Sequence, residues 1–245
     1  MALQDLLDLS TAKKQKKVGL SEERVRAIIP VARQYVAFWR EYPDILVDFL
    51  VRGNRTEVRE GEFKFYFYQR VFLRAAMRHQ YLYAVFPRAY SKSFLSTMVL
   101  MLKCMLYPRC KLFVTSGGKE QAAGIIKEKV QEICTLIPAF KKEINWTRGQ
   151  TQEGKDYCKY IFKNDSYFDN IAARESSRGK RRHGGVMEEC VGIDGDILSS
   201  VIIPTMNVSR RCMDGTMQDD EQLNKSQIYI TTAGFKNSFP YDKLI

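Results

Sequence analysis

Histidine is almost missing from this chain: His79 and His183 are the only two in 245 residues. Its six cysteines, at 104, 110, 134, 158, 190 and 212, include no CxxC pair. These scarcities leave no ligand spacing for structural zinc and, in a chain of this length, no disulfide framework. Long apolar runs are missing too. STMVLMLKCMLY (96–107) is interrupted by Lys103 and is well short of the roughly 20 residues that cross a bilayer. The opening MALQDLLDLSTAKKQKK has no basic start, apolar run and small-residue cleavage site of the secretory kind. The expectation is a reduced, soluble, cytoplasmic protein with no membrane partner.

What is present is a core and a surplus of positive charge. Hydrophobic residues make up 45% of the chain, enough to exclude disorder. The formal net charge of +11 points to a polyanionic partner or an anionic membrane surface. Basic residues gather in Lys13-Lys14-Gln15-Lys16-Lys17 and in Arg178-Gly179-Lys180-Arg181-Arg182.

The N-terminal 60 residues read as a helical segment. SEERVRAIIPVARQYVAFWREYPDILVDFLVR has apolar residues at helical spacing, with breaks expected at Pro30 and Pro43. Ser21 is a candidate N-cap, followed by Glu22 and Glu23 at the positive end of the dipole. The segment should end near Gly53-Asn54-Arg55. Residues 61–245 then alternate: a helical pattern within 62–78, the apolar run YLYAVF, a helix over 93–106, the strand KLFVTSGG (111–118), and a helix to about Ile137. A polar loop or hairpin fills 140–160, and KYIFKNDSYFDNIAA suggests two strands around an Asn-Asp-Ser turn. GGVMEECVGID leads into a helical stretch, MDGTMQDDEQLN reads as a polar loop, and QIYITTAG as a last buried strand before the tail FKNSFPYDKLI. Alternating strands and helices predict an α/β domain with a mainly parallel sheet and helices on both faces.

Chemistry enters at PRAYSKS (87–93). Lys92 and Ser93 stand between an apolar strand and an apolar helix, which is how a phosphate-binding loop ends. The consensus GxxxxGK[ST] would put glycines at 86 and 91, but the chain has Phe86 and Ser91. Glycine serves there because it tolerates positive φ and close approach to the ligand, so Ser91 is the residue on which the loop turns. A loop of this type needs carboxylates at a neighbouring strand end to orient Mg2+ and the attacking water. Glu188 and Glu189 close the short run GGVMEE and are the candidates; the bland alternative is two surface glutamates opening a helix. Tyr68-Gln69 could hold an adenine by stacking and amide hydrogen bonds, or be a core aromatic beside a surface amide.

Taken in chain order, these elements resemble the N-terminal ATPase half of the large terminase subunit of tailed bacteriophages, from about residue 36 onward. That family has a deviant phosphate loop with an arginine near its start, matched by Arg88, then Lys92 for the β/γ oxygens and Ser93 for Mg2+. The resemblance implies a P-loop NTPase of the ASCE type binding ATP and Mg2+. Pro87, Arg88, Ala89, Tyr90, Ser91, Lys92 and Ser93 would line the phosphates, with Tyr68 and Gln69 at the adenine. Glu188 stands where an Mg2+-linked aspartate is usual, Glu189 at the catalytic glutamate, and Arg178 at an arginine that reaches into a neighbouring subunit. Thr231 and Thr232 open TTAG, which resembles the coupling motif. Arg174, Arg181 and Arg182 compete with Arg178 for the role in trans. WREYPDILVDFL is similar to the family's helical lead-in.

The implied activity is ATP hydrolysis driving double-stranded DNA into a procapsid in the host cytoplasm, in a homo-oligomeric ring with the portal protein and the small terminase subunit. The C-terminal nuclease domain of such proteins is expected to be absent from this chain. Two alternatives stay open: a helicase-like translocase, and a basic DNA-binding module whose degenerate loop no longer hydrolyses nucleotide.

Overall fold

The structure, a computed structural model, describes residues 22–53 and 60–232. The basic run at 13–17, the Ser21 cap, the expected helix end at Asn54-Arg55, Ala233-Gly234 of TTAG and the tail FKNSFPYDKLI lie outside them.

Two helices come first: α1 (Glu22–Glu41) and α2 (Pro43–Arg52). Pro43 behaves as expected, starting α2 at a position where its missing N–H costs nothing. Pro30 does not break α1, contrary to the expectation; it sits on the exposed side of an unbroken helix. Asp44 in α2 is fully buried and accepts from Arg74 (2.8 Å) and Arg70 (3.0 Å) of α3 (Phe67–Arg78). Burial works to raise its pKa, but the hydrogen bonds from the two guanidinium groups outweigh it and hold the carboxyl below its ordinary range. That buried cluster clamps the helical lead-in to the sheet domain.

The strands are β1 (Tyr81–Phe86), β2 (Lys111–Thr115), β3 (Gln152–Glu153), β4 (Cys158–Ile161), β5 (Tyr167–Asn170), β6 (Gly184–Glu188), β7 (Arg210–Arg211), β8 (Met217–Gln218) and β9 (Ser226–Thr232). Seven of them form one sheet in the order β1-β9-β6-β2-β5-β4-β3. The neighbours from β1 to β5 run parallel, and β4 and β3 extend the sheet antiparallel. The polar stretch expected after residue 140 is thus a sheet extension, preceded by a short helix over Pro138–Glu143. The loop expected at 213–224 contains half of a small hairpin, β7 with β8.

One face of the sheet carries α4 (Lys92–Leu106) and α5 (Lys119–Leu136) over a core that includes Leu95, Val99, Val114, Val186 and Ile230. The other is covered by a helical segment over 195–206, whose Leu198, Val201 and Ile202 meet Phe113 and Met187. Twelve of the fifteen residues of α4 are buried, so this helix is apolar nearly all round because it is buried nearly all round.

The glycines that open β6 have a steric cause. A Cβ on Gly185 would run into the Phe113 ring, and one on Gly184 would lie 2.8 Å from the Ser226 carbonyl oxygen. Side chains of the adjacent strands occupy the room that large residues of β6 would need, which is why the run before the acids is so short.

Lys103 is the one basic residue inside α4's buried surface. Its Nζ donates to Ser226 Oγ at 2.6 Å, and burial pulls its pKa down to about 8. Between pH 8 and 10.5 the unfolded chain therefore carries one more proton than the folded one, and stability rises with pH through that window. Lys103→Met should melt higher than wild type at pH 7. The advantage should shrink by about tenfold in folding equilibrium constant for each pH unit above 8, as read from paired thermal melts.

Candidate active site

The register of three parallel strands assembles the site. Phe86 at the end of β1 pairs with Thr232 at the end of β9, and Ile230 two residues earlier pairs with Glu188 at the end of β6. The carboxyl edge of a parallel sheet is where such folds bind ligands, and the loop, both acids and both threonines arrive there together.

The loop 87–91 is exposed throughout and runs into the first turn of α4. Two of its residues take the left-handed conformation that glycine usually supplies: Ala89 at φ +66° and Ser91 at φ +54°. Ser91 therefore adopts, as an L-residue, the backbone geometry that Gly would have given at the same place. Each such residue costs about 1–2 kcal/mol, and strain of this size persists where the surroundings impose it. No side chain caps the N-terminus of α4, so its first N–H groups face the loop with the positive end of the dipole behind them.

Lys92 and Glu189 form an ion pair across this edge, Nζ donating to Oε1. Glu189 follows β6 at φ +49°, a left-handed residue that ends the strand. Its side chain is half exposed, and its other oxygen lies 3.5 Å from Thr232 Oγ1. Glu188 is the opposite case: only 3% exposed, with Ser96 Oγ at 3.5 Å. Burial raises its pKa most, with the Glu189 charge adding to the rise, while the Ser93 hydroxyl, Lys92 and Ser96 pull the other way. Two adjacent glutamates thus have different environments: one desolvated among hydroxyls, the other open to water.

A cavity of about 360 Å³ is lined by Ser93, Ser116, Gly117, Glu188, Glu189 and Gly192, with Ile125 at its side. One buried carboxylate beside one hydroxyl suits Mg2+, which takes few protein oxygens and completes its shell with phosphate and water. Among the described residues no group of three or more His, Cys, Asp or Glu gathers as a self-sufficient metal site.

The remaining candidates fall in different places. Tyr68 lies against the loop, its ring 5.4 Å from Tyr90 and 6.4 Å from Phe86. Gln69 is buried, and its Oε1 accepts from the Tyr66 backbone N–H at 2.9 Å. Arg88 is exposed in the loop. Thr231 is buried, and its hydroxyl bonds the Thr232 carbonyl. Arg178 lies outside the cavity on an exposed turn, paired with Glu175 at 2.9 Å. Arg182 is bound bidentately by the buried Asp169 (3.0 and 2.5 Å) and is an anchor of the loop's end, not a mobile finger. Sequence reading missed Ser96, Ser116 and Gly192. Ser96 was findable: it follows Ser93 by three, so both hydroxyls fall on one helix face.

A mostly parallel seven-stranded sheet flanked by helices, a loop with left-handed residues opening a buried helix, and one strand (β9) between the loop strand and the acid strand are the fold expected from the sequence. Among solved structures, the fold is similar to that of the HK97 bacteriophage large terminase. The TM-score is 0.59 at 14% identity, over 82% of this chain and 40% of that one. The large terminase ATPase domain of Thermus phage P74-26 aligns with a TM-score of 0.48 at 16% identity, over 77% and 69% of the two chains. The large terminase of another thermophilic bacteriophage gives 0.49 at 9%, over 69% and 39%. The likeness is one of fold, and the chain spans about two fifths of the HK97 protein and of this last one. No family model and no curated protein matches the sequence.

If the left-handed turn at residue 91 is what the loop requires, Ser91→Gly should keep nucleotide binding. Ser91→Val, a β-branched residue at positive φ, should lose at least about 1 kcal/mol of stability and most nucleotide affinity. Thermal melts with a nucleotide titration decide it; a valine variant that binds like wild type would refute the requirement.

Proposed function

We propose that this chain is the ATPase motor of a phage large terminase, hydrolysing ATP with Mg2+ to move double-stranded DNA into a procapsid. The observation that carries the reading is the Lys92–Glu189 pair beside a buried Glu188 at the mouth of a left-handed loop. The fold likeness to the HK97 large terminase supports it. The degenerate-loop alternative loses part of its support: of the two positions without the consensus glycine, Ser91 holds the glycine-type conformation, while Phe86 ends strand β1.

In this reading Pro87–Ser93 cradle the phosphates, with the amides at the start of α4 and Lys92 on the β/γ oxygens. Drawing Lys92 toward phosphate leaves the Glu189 carboxylate free to orient and deprotonate water. Ser93 and Glu188 would hold Mg2+, which neutralises charge developing on the phosphoryl oxygens. Thr232, within reach of Glu189, is placed to register the change when the γ-phosphate leaves, with Thr231 fixing the strand behind it and Arg88 touching the phosphate from the loop. Arg178 is proposed to complete a neighbour's site in a homo-oligomeric ring. Tyr68 and Gln69 stand at the base end.

The wider setting follows the same proposal: residues 1–60 as helical lead-in and 61–245 as motor domain, working with the portal protein and the small terminase subunit in the host cytoplasm. The surplus of 39 Lys and Arg over 28 Asp and Glu suits a sequence-indifferent grip on DNA phosphates. In phosphate-release assays, Glu189→Gln and Lys92→Ala should each lower turnover by about 10²-fold or more. A wild-type chain with neither turnover nor Mg2+-dependent nucleotide binding at high protein concentration would defeat the reading. Mixing Arg178→Ala with Glu189→Gln chains should restore part of the lost activity; absence of rescue would leave Arg178 an ordinary basic residue.

A further inference from the structure

Adenine and guanine share a π-face and differ in their edge groups: adenine's 6-amino donor and N1 acceptor are replaced in guanine by a 6-oxo acceptor and an N1–H donor, and guanine adds a 2-amino donor. A protein separates them strongly only by presenting polar groups to those edge groups, and sites built that way reject the wrong partner by about 10⁴–10⁵. The residue positioned here for such reading is Gln69, and both ends of its amide are engaged inside the protein. Oε1 accepts from the Tyr66 N–H at 2.9 Å, holding the otherwise unbonded start of α3, and Nε2 points to Tyr68 Oη at 3.4 Å. The side chain is 5% exposed. Arg70, the next polar residue, is committed to Asp44 and Asp48 through contacts of 2.7–3.0 Å.

What faces solvent at the same place is aromatic. Tyr66 and Tyr68 lie nearly parallel, 9° apart with ring centroids 6.1 Å from each other, and Tyr90 of the loop is 5.4 Å from Tyr68. Tyr66 is 71% exposed and Tyr90 47%. Tyr90 belongs to the phosphate loop itself, so this ring surface begins where the phosphate cradle ends. Stacking on such rings accepts any base.

We infer that the site holds its nucleobase by the ring face alone and takes guanine nucleotides nearly as readily as adenine nucleotides, Gln69 being a helix cap and not a reader of the base edge. The inference rests on the nucleotide-hydrolase reading above and deepens it by widening the substrate class from ATP to purine nucleoside triphosphates.

The test is competition binding and hydrolysis with ATP and GTP on the full chain, with Mg2+. Affinities and kcat/KM for the two should agree within about tenfold. Tyr68→Leu and Tyr90→Ala should weaken both nucleotides by similar factors. Gln69→Glu, which keeps the acceptor for the Tyr66 N–H and removes the donor, should leave the ATP-to-GTP ratio within about threefold of wild type. A preference for ATP of about 100-fold or more that collapses in Gln69→Glu overturns the inference while leaving the hydrolase reading intact. Binding of both nucleotides without turnover removes the hydrolase reading and leaves this inference standing, and binding of neither overturns both.

Discussion

Everything at the candidate site depends on strand register. Because β1, β9 and β6 run parallel and stop within two residues of one another, Phe86, Thr232 and Glu188 reach the same edge. Lys92 begins the helix that leaves the first of these ends, and Glu189 the turn that leaves the third, so their charges meet across the intervening strand. A one-residue slip of β6 would turn Glu188 to the opposite face of the sheet, under Leu198 and Ile202 and away from Ser93 and Ser96. The packing of Phe113 over Gly185 and of Ser226 against Gly184 fixes that register sterically. The Lys92–Glu189 pairing is thus held in place by contacts made at the far end of β6.

Charge in the molecule is handled in two ways. Inside, it is neutralised by close, multiple partners: Asp44 between Arg70 and Arg74, Asp169 against Arg182, Glu221 against Arg210. These pairs tie helix to helix and loop to strand. At the site it is left under-compensated, with Glu188 buried among hydroxyls and the loop amides uncapped. That contrast separates binding from scaffolding more clearly than residue type does, since Arg178 and Arg182 lie four residues apart in one basic run and only Arg182 is locked.

The sheet core and the order of the site elements were legible because continuous apolar runs such as KLFVT and FLSTMVLMLKCML report burial on all sides. The acids and the Lys-Ser pair were legible from position: the acids at the end of one apolar run, and the pair between another apolar run and an apolar helix. Other features depended on neighbours distant in sequence. Pro30 reads as a breaker, yet one lost N–H on an exposed side was tolerated. The pairing of β7 with β8 involves two residues from each strand, below what periodicity can signal. The meaning of Gln69 was hidden because a cap and a base reader have the same sequence signature, an amide three residues into a helix behind aromatics. Ser91 was ambiguous for a related reason: composition shows which residue lacks a Cβ, but not which residue is made to turn left-handed without that freedom.

The burial of α4 has a mechanical consequence. A rod about 22 Å long, starting at the phosphate loop and ending where Arg40 of α1 grips the Leu106 carbonyl at 2.8 Å, cannot tilt or slide against the sheet without opening voids along most of its surface. Helix, sheet and the end of α1 must therefore travel as one body. On the proposed motor reading, a stroke would have to be made by the exposed turns at the carboxyl edge, or by one whole chain moving against the next, with α4 as the stiff member against which both push.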